Sequence, residues 1–382
     1  MITLDVSAAV HRRAGLGRYA ENLARALLAA DPDGYSMFFN RERGVEPLAG
    51  LEHVPTHTVA LGYKPWRMLV WLGQLARVGF DRLAPGATLF HATEHLLLPL
   101  RKAPTVLTVH DLIFRHLPEH HKRLNRWYLN ATMPLYCRRA THIIAISECT
   151  QRDLMAAYGV PPDKITVIYE AASPHFSPRS AEEVARVRAA YHLPERYLLS
   201  VGTIEPRKNL IRLLNAFEVV HAEGLTDGLV IVGRRGWLAD EFYAALEQSP
   251  ARNAVHLPGY VADADLPALY TGAQALAMPS LYEGFGLPVL EAMACGAPVA
   301  CSNTSSLPEL TGQAAVHFAP DDTASITEAL RDLLADAELR ARLAAEGVAQ
   351  ARRFTWEQTA AQTRQVYQAV LEAAAGARRI GS

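Results

Sequence analysis

Lysine is nearly absent from this chain: 382 residues hold five, Lys64, Lys102, Lys122, Lys164 and Lys208, against 33 arginines, a bias we read as genomic codon usage. No basic stripe with interleaved aromatics is present and the formal net charge is −1, which excludes a nucleic-acid-binding surface. The charge is modestly split, +5 over residues 1–170 and −6 over 171–382, which biases the N-terminal half toward anionic lipid or a phosphorylated acceptor. The four cysteines, Cys137, Cys149, Cys295 and Cys301, include no C-x-x-C pair and no zinc spacing. They fit free thiols in a reducing compartment, with Cys295 and Cys301 in apolar stretches that read as buried. No run approaches the ~18 apolar residues of a transmembrane helix. The opening Met-Ile-Thr-Leu-Asp-Val lacks the charged and apolar regions of a signal peptide, so the expected location is the cytoplasm.

Half of the residues are apolar, enough to bury substantial cores in two or three domains. Short apolar strands alternate with helical patterns, which predicts parallel α/β architecture. In the first half the expected strands are 2–6, 88–91, 105–110, 142–146 and 164–168, with helices at 18–30, 124–139 and 148–158. In the second half the expected strands are 197–201, 229–232, 254–257, 273–278 and 298–301. The two prolines and two serines of residues 173–178 suit a linker, taken as 173–180. It would separate a Rossmann-like domain at 1–172 from a second at 181–355, the two facing a central cleft. The stretch 66–80, with Trp66, Trp71, Leu72, Leu75 and Phe80 among Arg67 and Arg77, reads as a core-packing helix or as a membrane-surface helix.

The most informative stretch is Pro279 to Pro298. It sets Glu283 and Glu291 eight positions apart across a glycine-rich turn leading into a short helix. Gly284 and Gly286 allow a tight turn, Pro288 suits a first helical position and Gly296 ends the helix. Such a helix start presents free amides and a positive dipole end to a phosphate. Glu291, one turn in, has oxygens suited to accept from hydroxyls.

This segment resembles the E-x7-E signature of the retaining glycosyltransferases of family 4, with Pro279, Ser280, Gly284, Phe285, Gly286, Pro288 and Gly296 where that family has them. Val201 to Asn209, read Val-Gly-Thr-Ile-Glu-Pro-Arg-Lys-Asn, resembles the family's diphosphate-binding loop, and Gly15-Leu16-Gly17-Arg18-Tyr19 its N-terminal glycine loop. His110-Asp111, Pro258 to Val261 and Ser306 to Glu309 match further stations in the expected order. The resemblance is strongest to the mannosyltransferase-B-like branch that builds bacterial surface polysaccharides. It implies a GT-B fold, transfer with retention, and a last helix, here 356–382, that packs back on the first domain; because no credible Asp-x-Asp site is present, metal-independent transfer without a cofactor is expected.

The resemblance also implies a donor site of Gly15, Gly17, Gly202, Thr203, Arg207, Lys208, Gly233, Tyr260, Val261, Glu283, Gly284, Phe285, Gly286, Leu287 and Glu291. His110, Glu283, Arg207 and Lys208 would serve the chemistry, while Arg18, Tyr19 and Asp111 would lie on the acceptor side. A departing nucleoside diphosphate gathers negative charge as the anomeric carbon becomes oxocarbenium-like, and Arg207 and Lys208 can neutralise it. Thr203 stands where many relatives carry arginine, so Arg207 would supply that contact. The Asp-x-Asp pairs read better as a turn (Asp31, Asp33) and a helix cap (Asp263, Asp265) than as metal ligands. Pro118 interrupts a helical metal reading of His116, His120 and His121. The expected partners are a sugar nucleotide, GDP-mannose or a UDP-sugar, and a saccharide or lipid-linked saccharide acceptor, with a peripheral membrane contact through the N-terminal domain. A sugar-nucleotide 2-epimerase and a non-catalytic sugar-nucleotide-binding subunit remain the other classes.

Overall fold

Continuous apolar runs such as Gly-Leu-Val-Ile-Val at 228–232 are the mark of parallel strands covered on both faces, and this one is buried along its whole length. The structure, a computed structural model, describes residues 1–380, so residues 381–382 of the expected last helix lie outside the described residues. The chain forms two compact units. One comprises Met1–Arg115, Arg123–Glu170 and the chain from Thr355 onward; the other comprises His116–Lys122 and Ala171–Phe354.

The first unit holds seven parallel strands: β1 (Ile2–Asp5), β2 (Tyr35–Asn40), β3 (Thr56–Val59), β4 (Leu89–Ala92), β5 (Thr105–Val109), β6 (His142–Ala145) and β7 (Ile165–Val167). Their order is β3-β2-β1-β4-β5-β6-β7. The second unit holds six: β8 (Tyr197–Val201), β9 (Gly228–Val232), β10 (Val255–Gly259), β11 (Ala275–Met278), β12 (Val299–Ser302) and β13 (Val316–Phe318), ordered β10-β9-β8-β11-β12-β13 and again all parallel. Each sheet reverses its strand order once, between β1 and β4 and between β8 and β11. Open α/β sheets bind ligands beyond the carboxyl ends of their strands at such points.

Three strands were not foreseen. β2 is wholly buried. β3 reads Thr-His-Thr-Val and alternates between exposed and half-buried at a sheet edge, and β13 has three residues, so neither shows an apolar run. The helix expected from Arg18 begins earlier, at Ala14, and runs to Ala30. The Gly15 to Gly17 stretch is therefore its first turn and not a loop. Gly17 is required there because a Cβ would come within 2.9 Å of the Ala8 carbonyl oxygen.

The helix Trp356–Ile380 belongs to the first unit, where it packs on Ala14–Ala30. Its Tyr367 hydroxyl lies 2.6 Å from His91 Nδ1, and Thr359 Oγ1 donates to the Tyr169 carbonyl. His116–Lys122, expected with the N-terminal domain, clusters with the second unit: His116 stacks on Tyr282 and Trp237 Nε1 donates to the His120 carbonyl. The stretch 66–80 is helical as far as Ala76, in the helix Tyr63–Ala76, and packs one face on the core. Trp66 and Val70 are buried, Trp66 beside Phe38, while Leu72 and Leu75 are exposed on the opposite face. All four cysteines are buried free thiols, and burial pushes Cys137, Cys295 and Cys301 up to about 12. Among the described residues no helix is long and apolar enough to cross a membrane.

Candidate active site

The loops that leave β8, β9 and β10 at their carboxyl ends are laced together by backbone. Gly202 N–H donates to the Val232 carbonyl, Ile204 N–H to Arg234, and Gly233 N–H to Gly259. Only glycine permits this approach, because a Cβ on Gly233 would fall 1.9 Å from the Gly202 carbonyl oxygen. The same edge receives the turn after β11. Leu281 N–H donates to the Arg207 carbonyl, and Ser306 Oγ donates to the carbonyls of Glu283 and Phe285. Gly286, at φ 110°, then opens the helix Leu287–Ala294, which no side chain caps. Its amides and positive dipole end are thus set at the sheet edge.

Glu283 sits between two cations. Its Oε1 accepts from Lys208 Nζ at 2.6 Å and its Oε2 pairs with Arg207 at 2.8 Å. Burial alone would raise this carboxyl, but the Arg207 and Lys208 charges outweigh it and hold Glu283 down at about 2. Arg207 also donates to Glu205 Oε1 through two nitrogens and to the Tyr282 carbonyl, so its guanidinium is fixed in a fork. Glu205, missed in the sequence, is buried and keeps one oxygen, Oε2, without a hydrogen-bond partner. Such a cluster can redistribute its cations toward incoming phosphate oxygens while its carboxylates accept from hydroxyls.

Glu291 is buried in the same helix, and its Oε2 accepts from the Tyr270 hydroxyl at 2.8 Å, a partner the sequence did not reveal. The Thr203 methyl packs against Gly236, where a Cβ would meet it at 2.6 Å. Tyr260 is exposed with the Arg234 guanidinium 4.9 Å from its ring centre, while Val261 is buried. Gly284 and Phe285 are buried, and Leu287 and Pro288 are half-buried at the helix start.

The expected residues of the first unit divide. His110, just past β5, is fixed at four points. Ring Nε2 meets the Thr93 carbonyl at 2.8 Å, Nδ1 meets Glu170 Oε1 at 3.1 Å, its N–H donates to His95 Nε2, and its carbonyl accepts from Thr150 Oγ1. Burial works against the charged ring, yet the Glu170 carboxylate and the Thr93 carbonyl prevail and raise its pKa. Tyr19, expected on the acceptor side, is instead fully buried. Its hydroxyl lies 3.0 Å from Thr108 Oγ1 and its ring packs edge-on to His110, so it has no face for an acceptor. Asp111 Oδ1 accepts from Ile113 N–H, the role of a turn residue, and Arg18 is half-buried.

Two unforeseen carboxylates share this edge. Asp5 Oδ1 accepts from Ser7 N–H while Oδ2 is buried without a partner; Glu94 pairs with Arg13 through Oε2 at 2.6 Å while Oε1 has none. Burial, then the Glu94 charge, pushes Asp5 up to about 7.

Among the described residues no three His, Cys, Asp or Glu side chains are grouped to hold a metal ion. Asp265 Oδ1 accepts from Arg186 and Oδ2 from Tyr191; it stands at a helix start but its side chain does not cap it, contrary to expectation. The Asp31 carbonyl closes the turn to Gly34, and His116 and His120 are held by the stacking and carbonyl contacts given above.

Known proteins resemble this chain in sequence and in fold. The family profile of glycosyl transferases group 1 matches residues 184–350, and that of glycosyltransferase family 4 matches residues 13–176. The O-antigen chain mannosyltransferase B of Escherichia coli is 36% identical over 272 residues, covering 71% of each chain. The serotype-specific mannosyltransferase WbdA of Escherichia coli is 32% identical over 266 residues; these cover 67% of this chain and 32% of WbdA, so the chain spans about a third of that relative. A sucrose-phosphate synthase structure from Thermosynechococcus elongatus superposes with a TM-score of 0.80 at 22% identity, covering 97% of this chain and 99% of that one. The chain therefore belongs to the family 4 glycosyltransferases, in their mannosyltransferase-B-like branch, and has their GT-B fold.

Proposed function

We propose that the second unit grips a nucleoside-diphosphate hexose, GDP-mannose before a UDP-sugar, and that the hexose passes with retention to a saccharide or lipid-linked saccharide acceptor served by the first unit. The observation that carries this reading is Glu283 held between Arg207 and Lys208 beside the uncapped start of Leu287–Ala294. The two cations and the amides would take the diphosphate as charge moves onto it, with Glu283 on the transferred sugar and Glu291 on the ribose hydroxyls. Gly202 and Gly233 would let the backbone approach the phosphates, and Gly259 to Val261 would read the base. Mannose and O-antigen synthesis enter through the names of the relatives.

The test is thermal unfolding in a series of sugar nucleotides. A donor at a hundred times its Kd should stabilise the folded chain by about 2.7 kcal/mol. GDP-mannose should protect more than UDP-glucose, and the reverse order would move the donor assignment to UDP-sugars. Turnover should survive EDTA, and proton NMR of the first product should show the donor's anomeric configuration. Product formed from donor alone would point to the epimerase reading, and binding without turnover to the non-catalytic one.

We further propose that the first unit meets the membrane. Met68, Leu69, Leu72, Leu75 and Val78 are exposed, as are Leu124, at 84%, and Trp127 on the helix Arg123–Arg139. Trp71 and Trp127 pack 5.4 Å apart and join the two helices, with Lys64, Arg77 and Arg123 exposed around them. Exposed apolar side chains on two helices that meet through Trp71 and Trp127, with exposed cations close by in sequence, suit anionic headgroups. Co-sedimentation with anionic vesicles, reduced in Leu72→Ser/Leu75→Ser and at high salt, is expected; equal recovery of variant and wild type would refute the contact.

A further inference from the structure

His110 is buried, so the groups around it decide its charge. From the loop after β4 come the Thr93 carbonyl and His95; from β4 itself, His91; from the loop after β7, Glu170; from Ala14–Ala30, the Tyr19 ring; from Glu148–Tyr158, Thr150; and Asp111 follows in sequence. Burial holds His91 down at about 3, so it is neutral. His95 Nε2 accepts the His110 backbone N–H, which leaves that nitrogen without a proton.

Both ring nitrogens of His110 therefore face oxygen atoms. A carbonyl can only accept, so Nε2 carries a hydrogen toward Thr93. Nδ1 lies 3.1 Å from Oε1 of Glu170, itself 3% exposed, and the hydrogen bond and charge of that carboxylate raise the His110 pKa, so Nδ1 carries a hydrogen toward it. We infer that Glu170 is a positioning residue that keeps the His110 imidazole doubly protonated, with both N–H bonds spent on fixed oxygens.

The ring so held cannot take a proton from a hydroxyl at neutral pH. It offers a fixed plane whose charge Glu170 balances, in a site that would otherwise reject a lone cation. The consequence for transfer rests on the proposed reading of His110 as a site residue, whereas its protonation state does not.

NMR of protein labelled with 15N-histidine, titrated from about pH 5 to about pH 9, reads this directly, the His110 signals being assigned by their loss in His110→Gln. In the wild type both ring nitrogens should remain protonated at pH 7. In Glu170→Gln the titration should move down toward or below the ordinary histidine value of about 6.5, and Glu170→Asp should restore part of the shift. The alkaline limb of kcat should move the same way, with KM for the donor less affected. A His110 already neutral at pH 7 in the wild type, or one that titrates identically in wild type and Glu170→Gln while thermal unfolding shows the variant folded, overturns the inference. Failure of every sugar nucleotide to bind would instead refute the proposed function and leave the titration result standing.

Discussion

Glu283→Ala is expected to cost this chain both turnover and stability, and the bound donor should return part of the stability. The carboxylate takes the ammonium of Lys208, a residue 8% exposed, and shares the Arg207 guanidinium. Removing one partner of a buried ion pair typically costs about 3–5 kcal/mol, because the remaining charge keeps its desolvation penalty. A nucleoside diphosphate would supply oxygens to the same cations, so the gain in unfolding temperature on adding donor should be larger in the variant than in the wild type. Loss of sugar positioning should lower kcat by about a hundredfold. Glu291→Ala should behave differently. A hydrogen bond to a charged acceptor is worth about 1.5–3 kcal/mol, so donor affinity should fall by roughly ten- to a hundredfold with kcat little changed. Because Glu291 also accepts from Tyr270, Tyr270→Phe serves as the control for local disorder. Calorimetric donor binding, kcat and circular dichroism on the three variants decide the matter. A Glu283→Ala enzyme with wild-type kcat would remove its catalytic role, and one that loses no stability would remove the ion-pair account.

What the sequence made legible was local. Parallel strands buried on both faces appear as short apolar runs, and turns that need glycine or proline announce themselves, so most strands and the whole 279–298 segment could be placed. β3 escaped because an edge strand with a wet face carries threonine and histidine in place of an apolar run. The site residues that escaped owe their positions to chain pairings that no spacing encodes. Glu170 meets His110 from 60 positions away, and Tyr270 reaches Glu291 across 21. Tyr19 misled for a related reason. The family resemblance implies an acceptor-side place for it beside Arg18, but the helix begins at Ala14 and turns its ring into the core. Asp265 was expected as a cap, yet Arg186 and Tyr191 claim its carboxylate.

Asp5→Asn should make the chain more stable at neutral pH and leave it unchanged in acid. Asp5 is fully buried at the end of β1; burial and the nearby Glu94 raise it from 3.8 to about 7, against the bonds from Ser7 and the charge of Arg13. Below about pH 4 both folded and unfolded chains hold the proton, and Asp5 contributes no pH dependence. Between about pH 4 and pH 7 the unfolded chain releases the proton while the folded chain keeps it, so folding loses stability as pH rises. Above about pH 7 both states are ionised and the loss is complete, on the order of 4 kcal/mol for a shift of about three units. Asparagine keeps an oxygen for the Ser7 N–H and has nothing to ionise. Its amide also supplies a hydrogen where Asp5 Oδ2 and Glu94 Oε1 both lie buried without partners. His110, whose raised pKa likewise makes stability fall with rising pH, is common to both proteins and drops out of their difference. Denaturant unfolding of wild type and variant at pH 4 and pH 8, followed by tryptophan fluorescence, should therefore show a stabilisation that appears only at the higher pH. The same difference at both pH values would mean that Asp5 is ionised in the folded chain throughout, with Arg13 rather than Glu94 governing its charge.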